Sequence, residues 1–438
     1  MTSNDSRVIR AELLSFDADP GEGDTPAEGS VRHIEDGALW LEDGRIHAID
    51  DYVRLAPTLP ADIEVIDHRG KLIMPGFIDS HVHYVQLEIM ASYGRQLLDW
   101  LNEYTFPEEC AFAQRERADV ISNAFLDEML RVGTTTAQVF CSSHPTSVEA
   151  FFSACRQRDL RMLAGKVLMD RNAPEALCDD THGGIHDTER LIGNWHGTAR
   201  LGYSLTPRFA PTSTREQLDA TGGLLRNDPS LWLQTHLSEN PGELDWVAEL
   251  FPKSRDYLEV YEQSDLVGPR STFAHGIHLD QGMRRRLADR GANLAFCPSS
   301  NLFLGSGLFN RQAAREVGLN VTYASDVGGG TDLSGLATLK AAYQVGQLRG
   351  QPLTAWQGLY GLTLGNARAL SLDGQVGRLA PAMEADFVVL DPDGSPLMAR
   401  RHARCKTLGE RLFALMMLGD DRNVLETWAG GRRQHVRE

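Results

Sequence analysis

The chain has 438 residues, 42% of them hydrophobic and 24% charged, a composition that excludes a disordered or fibrous protein. Its 43 Lys and Arg against 60 Asp and Glu give a formal net charge of −17, which disfavours nucleic acid and anionic membrane as partners. No apolar run approaches the roughly 18–20 residues that span a bilayer; no secretory signal is visible, and six scattered cysteines fit reduced thiols, so a soluble cytoplasmic protein is expected.

In chain order, residues 8–16 read as a first strand, and 17–30 (DADPGEGDTPAEGS) as an exposed loop rich in Pro, Gly and acid. Strands at 37–41 and 45–50 form a hairpin around Glu42-Asp43-Gly44, followed by a strand at 63–67. The long middle then alternates short apolar runs with amphipathic stretches. The runs fall at 72–83, 134–140, 161–170, 201–209, 232–239, 272–278, 292–298 and 320–326, with helical patterns such as 115–131 and 311–317 between them. Residues 377–390 and 424–428 read as strands again. Eight strand–helix alternations predict an α/β protein built on a closed (β/α)8 TIM barrel. An open doubly wound sheet would need a Gly-rich phosphate turn after its first strand, and none is present. The expected organisation is a barrel over residues 72–374, with 1–71 and 375–438 combining into a small β-sandwich domain.

The first barrel strand ends Pro75-Gly76-Phe77-Ile78-Asp79-Ser80-His81-Val82-His83. Side chains alternate faces along a strand, so His81 and His83 point the same way. Two neutral imidazoles at the C-terminal end of a barrel strand suit a zinc-type metal. Three later strands also finish in metal-binding residue types: Gln234-Thr235-His236-Leu237-Ser238-Glu239, then His275-Gly276-Ile277-His278, then Ser325-Asp326. Four strand ends of this kind at one rim predict a site there. His278 is set aside as a solvated loop histidine.

This pattern resembles the amidohydrolase superfamily over nearly the whole chain, and within it the guanine deaminase family. The resemblance is carried by His81-Val82-His83-Tyr84-Val85-Gln86, Leu98-Asp99-Trp100-Leu101, Tyr104-Thr105-Phe106-Pro107 and Gly165–Pro174. Pro207-Arg208-Phe209, Thr235–Asn240, Cys297-Pro298-Ser299-Ser300-Asn301 and Ser325–Gly330 add to it in the family's order. The resemblance implies one zinc ion per chain on His81, His83, His236 and Asp326. It implies Glu239 as proton shuttle, with His275 and Asp326 completing the catalytic set. Substrate contacts are implied for Gln86, Arg208 and Phe209, beside His83, His236, Glu239, His275 and Asp326. It further implies guanine as the small-molecule substrate, with hydrolysis to xanthine and ammonia, and a homodimer.

The residue chemistry agrees. Three imidazoles and one carboxylate leave a zinc ion an open position for a water, whose pKa such an ion lowers to roughly 7. Glu239, three residues past His236, can take a proton from that water and deliver it to a ring nitrogen and to the departing ammonia. Arg208 offers only donors and suits a heterocycle's carbonyl oxygen, and Phe209 offers a face for a flat ring or a piece of barrel wall. Strand four (Tyr203-Ser204-Leu205-Thr206-Pro207) has no lysine to bridge two metals, which favours one; Lys166 on strand three is the remaining candidate bridge. The other zinc-deaminase signature needs H-x-E and then P-C-x-x-C, and only the first half occurs, as His33-Ile34-Glu35. The basic clusters 400–406 and 432–433 read as solvated surface. The rival readings are the same machinery acting on a pterin, 8-oxoguanine or a triazine, and a catalytically silent binding scaffold. The intact site set argues against the scaffold.

Overall fold

The computed structural model describes residues 6–93 and 96–437. Four strands come first: β1 (Arg7–Phe16), β2 (Val31–Glu42), β3 (Arg45–Asp51) and β4 (Glu64–Pro75). The middle of the chain supplies β5 (Phe77–His83), β6 (Thr134–Phe140), β7 (Arg161–Gly165), β8 (Val167–Leu168) and β9 (Leu201–Pro207). After them come β10 (Trp232–Leu237), β11 (Ser271–His275), β12 (Asn293–Phe296) and β13 (Asn320–Tyr323). β14 (Phe387–Leu390), β15 (Val424–Ala429) and β16 (Arg432–Val436) end the described chain.

The barrel runs β5-β6-β7-β9-β10-β11-β12-β13, parallel at every ladder, with the short β8 continuing beside β9. Two backbone hydrogen bonds join its ends, Asp326 N to His81 O at 2.9 Å and His83 N to Val327 O at 2.6 Å. Each of the eight apolar runs contains one of these strands. Every residue of β5, β6 and β9 is buried, as parallel strands covered on both faces require. Polar side chains also fill the interior and are bonded to each other. Gln138 Nε2 donates to Ser204 Oγ at 3.1 Å, and Gln234 Nε2 to Val139 O at 2.9 Å and Thr206 Oγ1 at 3.1 Å. The amide N–H groups are paired in this way, while Gln138 Oε1 and Gln234 Oε1 are buried without a partner, so the network beneath the rim is only partly satisfied.

The first run divides where the sequence reads it as continuous. Residues 72–75 complete β4 of the outer sheet, and β5 starts at Phe77. The break is at Gly76, where an added Cβ would lie 2.2 Å from Thr135 Oγ1, so only glycine lets the chain pass from one sheet to the other.

The outer sheet has the order β16-β15-β14-β4-β1-β2-β3 and mixes parallel and antiparallel pairs. It is one continuous seven-stranded sheet rather than the two packed sheets of a sandwich. Ile46 of β3 and Trp428 of β15 come from distant places in the strand order, yet share one buried cluster with Ile9, Leu39, Ile73 and Phe387. The hairpin between β2 and β3 is a two-residue turn with φ of 48° at Asp43 and 78° at Gly44, the twist that matches flanking strands. Only the end of the 377–390 run is a strand. Ala382 adopts φ 70°, and Glu384 and Asp386 turn toward the barrel. There Arg200, 9% exposed, donates to Glu384 at 2.6 Å and Asp386 at 2.5 Å, while Arg161 Nε reaches Glu384 at 2.7 Å. This ion network ties β7 and the start of β9 to the outer sheet. The loop at 17–30 is held by Arg315 on Glu22 at 3.0 Å and by Trp356 Nε1 on the Asp24 carbonyl at 3.1 Å.

Candidate active site

The C-terminal ends of the barrel strands converge as the spacing predicts. His81 and His83 end β5, His236 lies near the end of β10, His275 ends β11, and Asp326 and Glu239 follow β13 and β10. Left-handed backbone at Ser238 (φ 52°), His275 (φ 75°) and Asp326 (φ 51°) turns these ends inward. Strain at three non-glycine positions persists only where surrounding bonds hold it. Gly276 N on Leu237 O and Asp326 N on His81 O, both 2.9 Å, are such bonds.

His81, His83, His236 and Asp326 each offer one atom to a group whose members lie within 4.8 Å of one another. His81 Nε2 and His83 Nε2 are 3.3 Å apart, and Asp326 Oδ1 lies 3.2 and 3.4 Å from them. A tetrahedron around a zinc ion with bonds of about 2.0–2.1 Å has edges of roughly 3.3–3.4 Å, so these atoms fit a metal of that size. His236 Nδ1 is bonded to the Arg208 carbonyl at 2.7 Å, which leaves its Nε2 for the cluster. Phe140 packs against all three rings, with centroids 4.4–4.9 Å away.

Burial sets the protonation states. It pushes His83 down to about 4 and His275 down to about 3, and places His236 well below the usual imidazole value, so these rings are neutral near pH 7, the form that ligates. Burial alone would raise the Asp326 carboxyl, but hydrogen bonds from His81 and His83 hold it well below the usual range. Glu239 is moved the other way, well above the usual range, by burial first and then by the charges of Asp326 and Glu243. Two neighbouring carboxyls thus have widely separated proton affinities, an arrangement able to keep one ionised while the other carries a proton.

Glu239 Oε2 lies 3.2 Å from His275 Nε2, and its Oε1 accepts from Ser306 Oγ at 2.9 Å. Asn301 holds the far side of His275 at 3.0 Å from Nδ1. Glu243 Oε2 takes the backbone N–H groups of Glu239 and Asn240 at 2.8 and 3.1 Å, and Tyr257 donates to its other oxygen at 2.7 Å. Glu239 thus stands on a capping box that opens the helix Pro241–Leu250.

These groups share one cavity, lined by His83, Gln86, Arg208, Phe209, His236, Glu239, His275 and Asp326, with Leu97, Trp100 and Leu101 among its apolar wall. His81 sits behind this lining, fully buried. Phe209 is in the wall, edge-on to Trp246 at 6.1 Å. Arg208 lines the cavity and is also paired with Glu109, through Nη1 at 3.0 and 2.8 Å from the two carboxylate oxygens. Lys166 is outside the cluster, buried against Asp179. His278 is outside as well, its Nε2 3.0 Å from the Ser306 carbonyl. His275, Cys297 and Asp326 form a second possible grouping of ligand types.

Several site residues escaped the sequence reading. Glu109, fully buried, lies two positions past the end of the Tyr104–Pro107 motif, beside Glu108. Glu243 was readable, since Asn240-Pro241-Gly242-Glu243 has the capping-box spacing. Ser306 carries no sequence signal.

The amidohydrolase family model matches residues 72–433 of this chain. A guanine deaminase of Escherichia coli (strain K12) is 44% identical over 416 residues, 94% of this chain and 95% of that protein. The solved structure of E. coli guanine deaminase superposes with a TM-score of 0.95 at 42% identity, covering 99% of this chain and 100% of that one. A guanine deaminase structure from C. acetobutylicum with bound guanine in the active site has a TM-score of 0.86 at 28% identity, covering 98% and 99%.

Proposed function

The chain belongs to the amidohydrolase family, and on that premise we propose that it is a guanine deaminase, converting guanine and water to xanthine and ammonia. One observation carries the reading. One cavity, with His81 behind its lining, gathers His83, His236 and Asp326, the buried Glu239 and the donor pair Gln86 and Arg208. Those four residues would hold one zinc ion, which when bound supplies a water acidic enough to react near pH 7.

The protein's own groups do the rest. Glu239 takes protons from the water and returns one to a ring nitrogen and one to the departing amine, as the C2–O bond forms and the C2–N bond breaks. His275, 3.2 Å from Glu239, holds the carboxyl in place. Arg208 donates to the oxygen on C6, with Gln86 beside it. Phe209, Trp100 and Leu101 keep water from the ring faces. The reading extends to a cytoplasmic homodimer in which the barrel, 72–374, carries the chemistry and 1–71 with 375–438 form the smaller β unit.

Substrate choice tests the reading. Adenine places an amine opposite the Arg208 donors and has none at C2, so it should be inert. 2-Aminopurine keeps the C2 amine and lacks the C6 oxygen; losing one hydrogen bond to a charged group should lower kcat/KM by roughly 10–150-fold. Arg208→Ala should cost a similar factor with guanine and much less with 2-aminopurine. Equal losses on the two substrates would remove Arg208 from the C6 oxygen and reopen pterins and triazines as substrates.

A further inference from the structure

Glu109 has no part in the reaction as described, yet its carboxylate is fully buried and takes three hydrogen bonds. A buried charge is costly unless it is paired and bonded. Both of its partners line the substrate cavity. Gln86 Nε2 donates to Glu109 Oε1 at 2.8 Å, and Arg208 Nη1 donates to both carboxylate oxygens. The Gln86 amide is fixed at both ends, because its Oε1 accepts from Gly328 N at 3.3 Å. The contacts with Arg208 use Nη1 alone, so the Nη2 and Nε hydrogens are not spent on Glu109. Phe106, on the same helix as Glu109 (Phe106–Cys110), lies 5.3 Å from the guanidinium carbon.

We propose that Glu109 is a positioning and specificity-determining residue: it aims Gln86 and Arg208 together and cancels the guanidinium charge, so that the cavity prefers a neutral oxopurine to an anionic one. The proposal rests on the guanine deaminase reading. Its consequence is chemical. Xanthine carries a second ring carbonyl, is a stronger acid than guanine and is partly anionic near neutral pH. Arg208 without its counter-charge would hold the xanthine anion, and the product would inhibit. With Glu109 in place the pair is neutral and the product leaves.

Glu109→Gln keeps the shape and removes the charge, while Glu109→Asp keeps the charge and shortens the arm by one methylene. For Glu109→Gln, kcat/KM for guanine should fall by about 10–100-fold, mostly in KM, with a much smaller loss on 2-aminopurine. Xanthine should inhibit this variant about tenfold more strongly than wild type above the pH of its own ionisation, and no more strongly below it. Glu109→Asp should lose guanine efficiency without the gain in xanthine inhibition. Melting temperature and metal content report that each variant is folded. Equal losses on both substrates with unchanged xanthine inhibition would reduce Glu109 to a structural ion pair and overturn the proposal. Wild-type protein that turns over no guanine in the same assay would overturn the underlying reading, and this proposal with it.

Discussion

Glu239→Gln should lower kcat by about 10²–10⁴ while metal content stays near that of the unmodified enzyme. The amide occupies the same volume and can still accept from Ser306, which reaches Glu239 Oε1 at 2.9 Å. It cannot take up and release a proton. The loss should fall on kcat rather than KM, because a proton carrier acts in the chemical step and not in substrate capture. Turnover close to that of the unmodified enzyme would show that another group carries the protons.

The second large effect is loss of metal. A His81→Ala, His236→Ala double variant removes two of the four converging donors, and metal should fall from about one ion per chain to near zero. Activity should fall at least as far as in Glu239→Gln, since only His83 and Asp326 of the four would remain. Elemental analysis of folded protein checks the stoichiometry, and circular dichroism checks the fold. Full metal content with activity in the double variant would remove these residues as ligands, and two ions per active chain would contradict a single-metal site.

Much of the barrel was legible because buried parallel strands are short unbroken apolar runs, and each of the eight runs holds one. What failed to show in the pattern was set by tertiary contact. The switch from β4 to β5 at Gly76 is decided by Thr135, fifty-nine positions on. The 377–390 run loses its first part to Glu384 and Asp386, whose partners Arg161 and Arg200 lie on the barrel. β16 shows no apolar run because four of its five residues, Arg432–His435, are polar, and none of the five is buried, as suits an edge strand. Gly430-Gly431 between two extended stretches is nonetheless a hairpin signal.

At the site, the metal-type residues were readable from strand ends, because the alternation that places His81 beside His83 is local. Arg208 and Phe209 entered through the family resemblance, and the structure puts both in the cavity wall. Glu109 was not readable. One of two adjacent acids on a short helix shows nothing in sequence of its bond to an arginine ninety-nine positions away.

The most direct test of the central claim is the product balance of the purified, zinc-replete protein with guanine. One ammonia and one xanthine should form for each guanine consumed, with adenine untouched in the same assay. No ammonia from guanine, alongside turnover of a pterin or a triazine, would contradict the assignment.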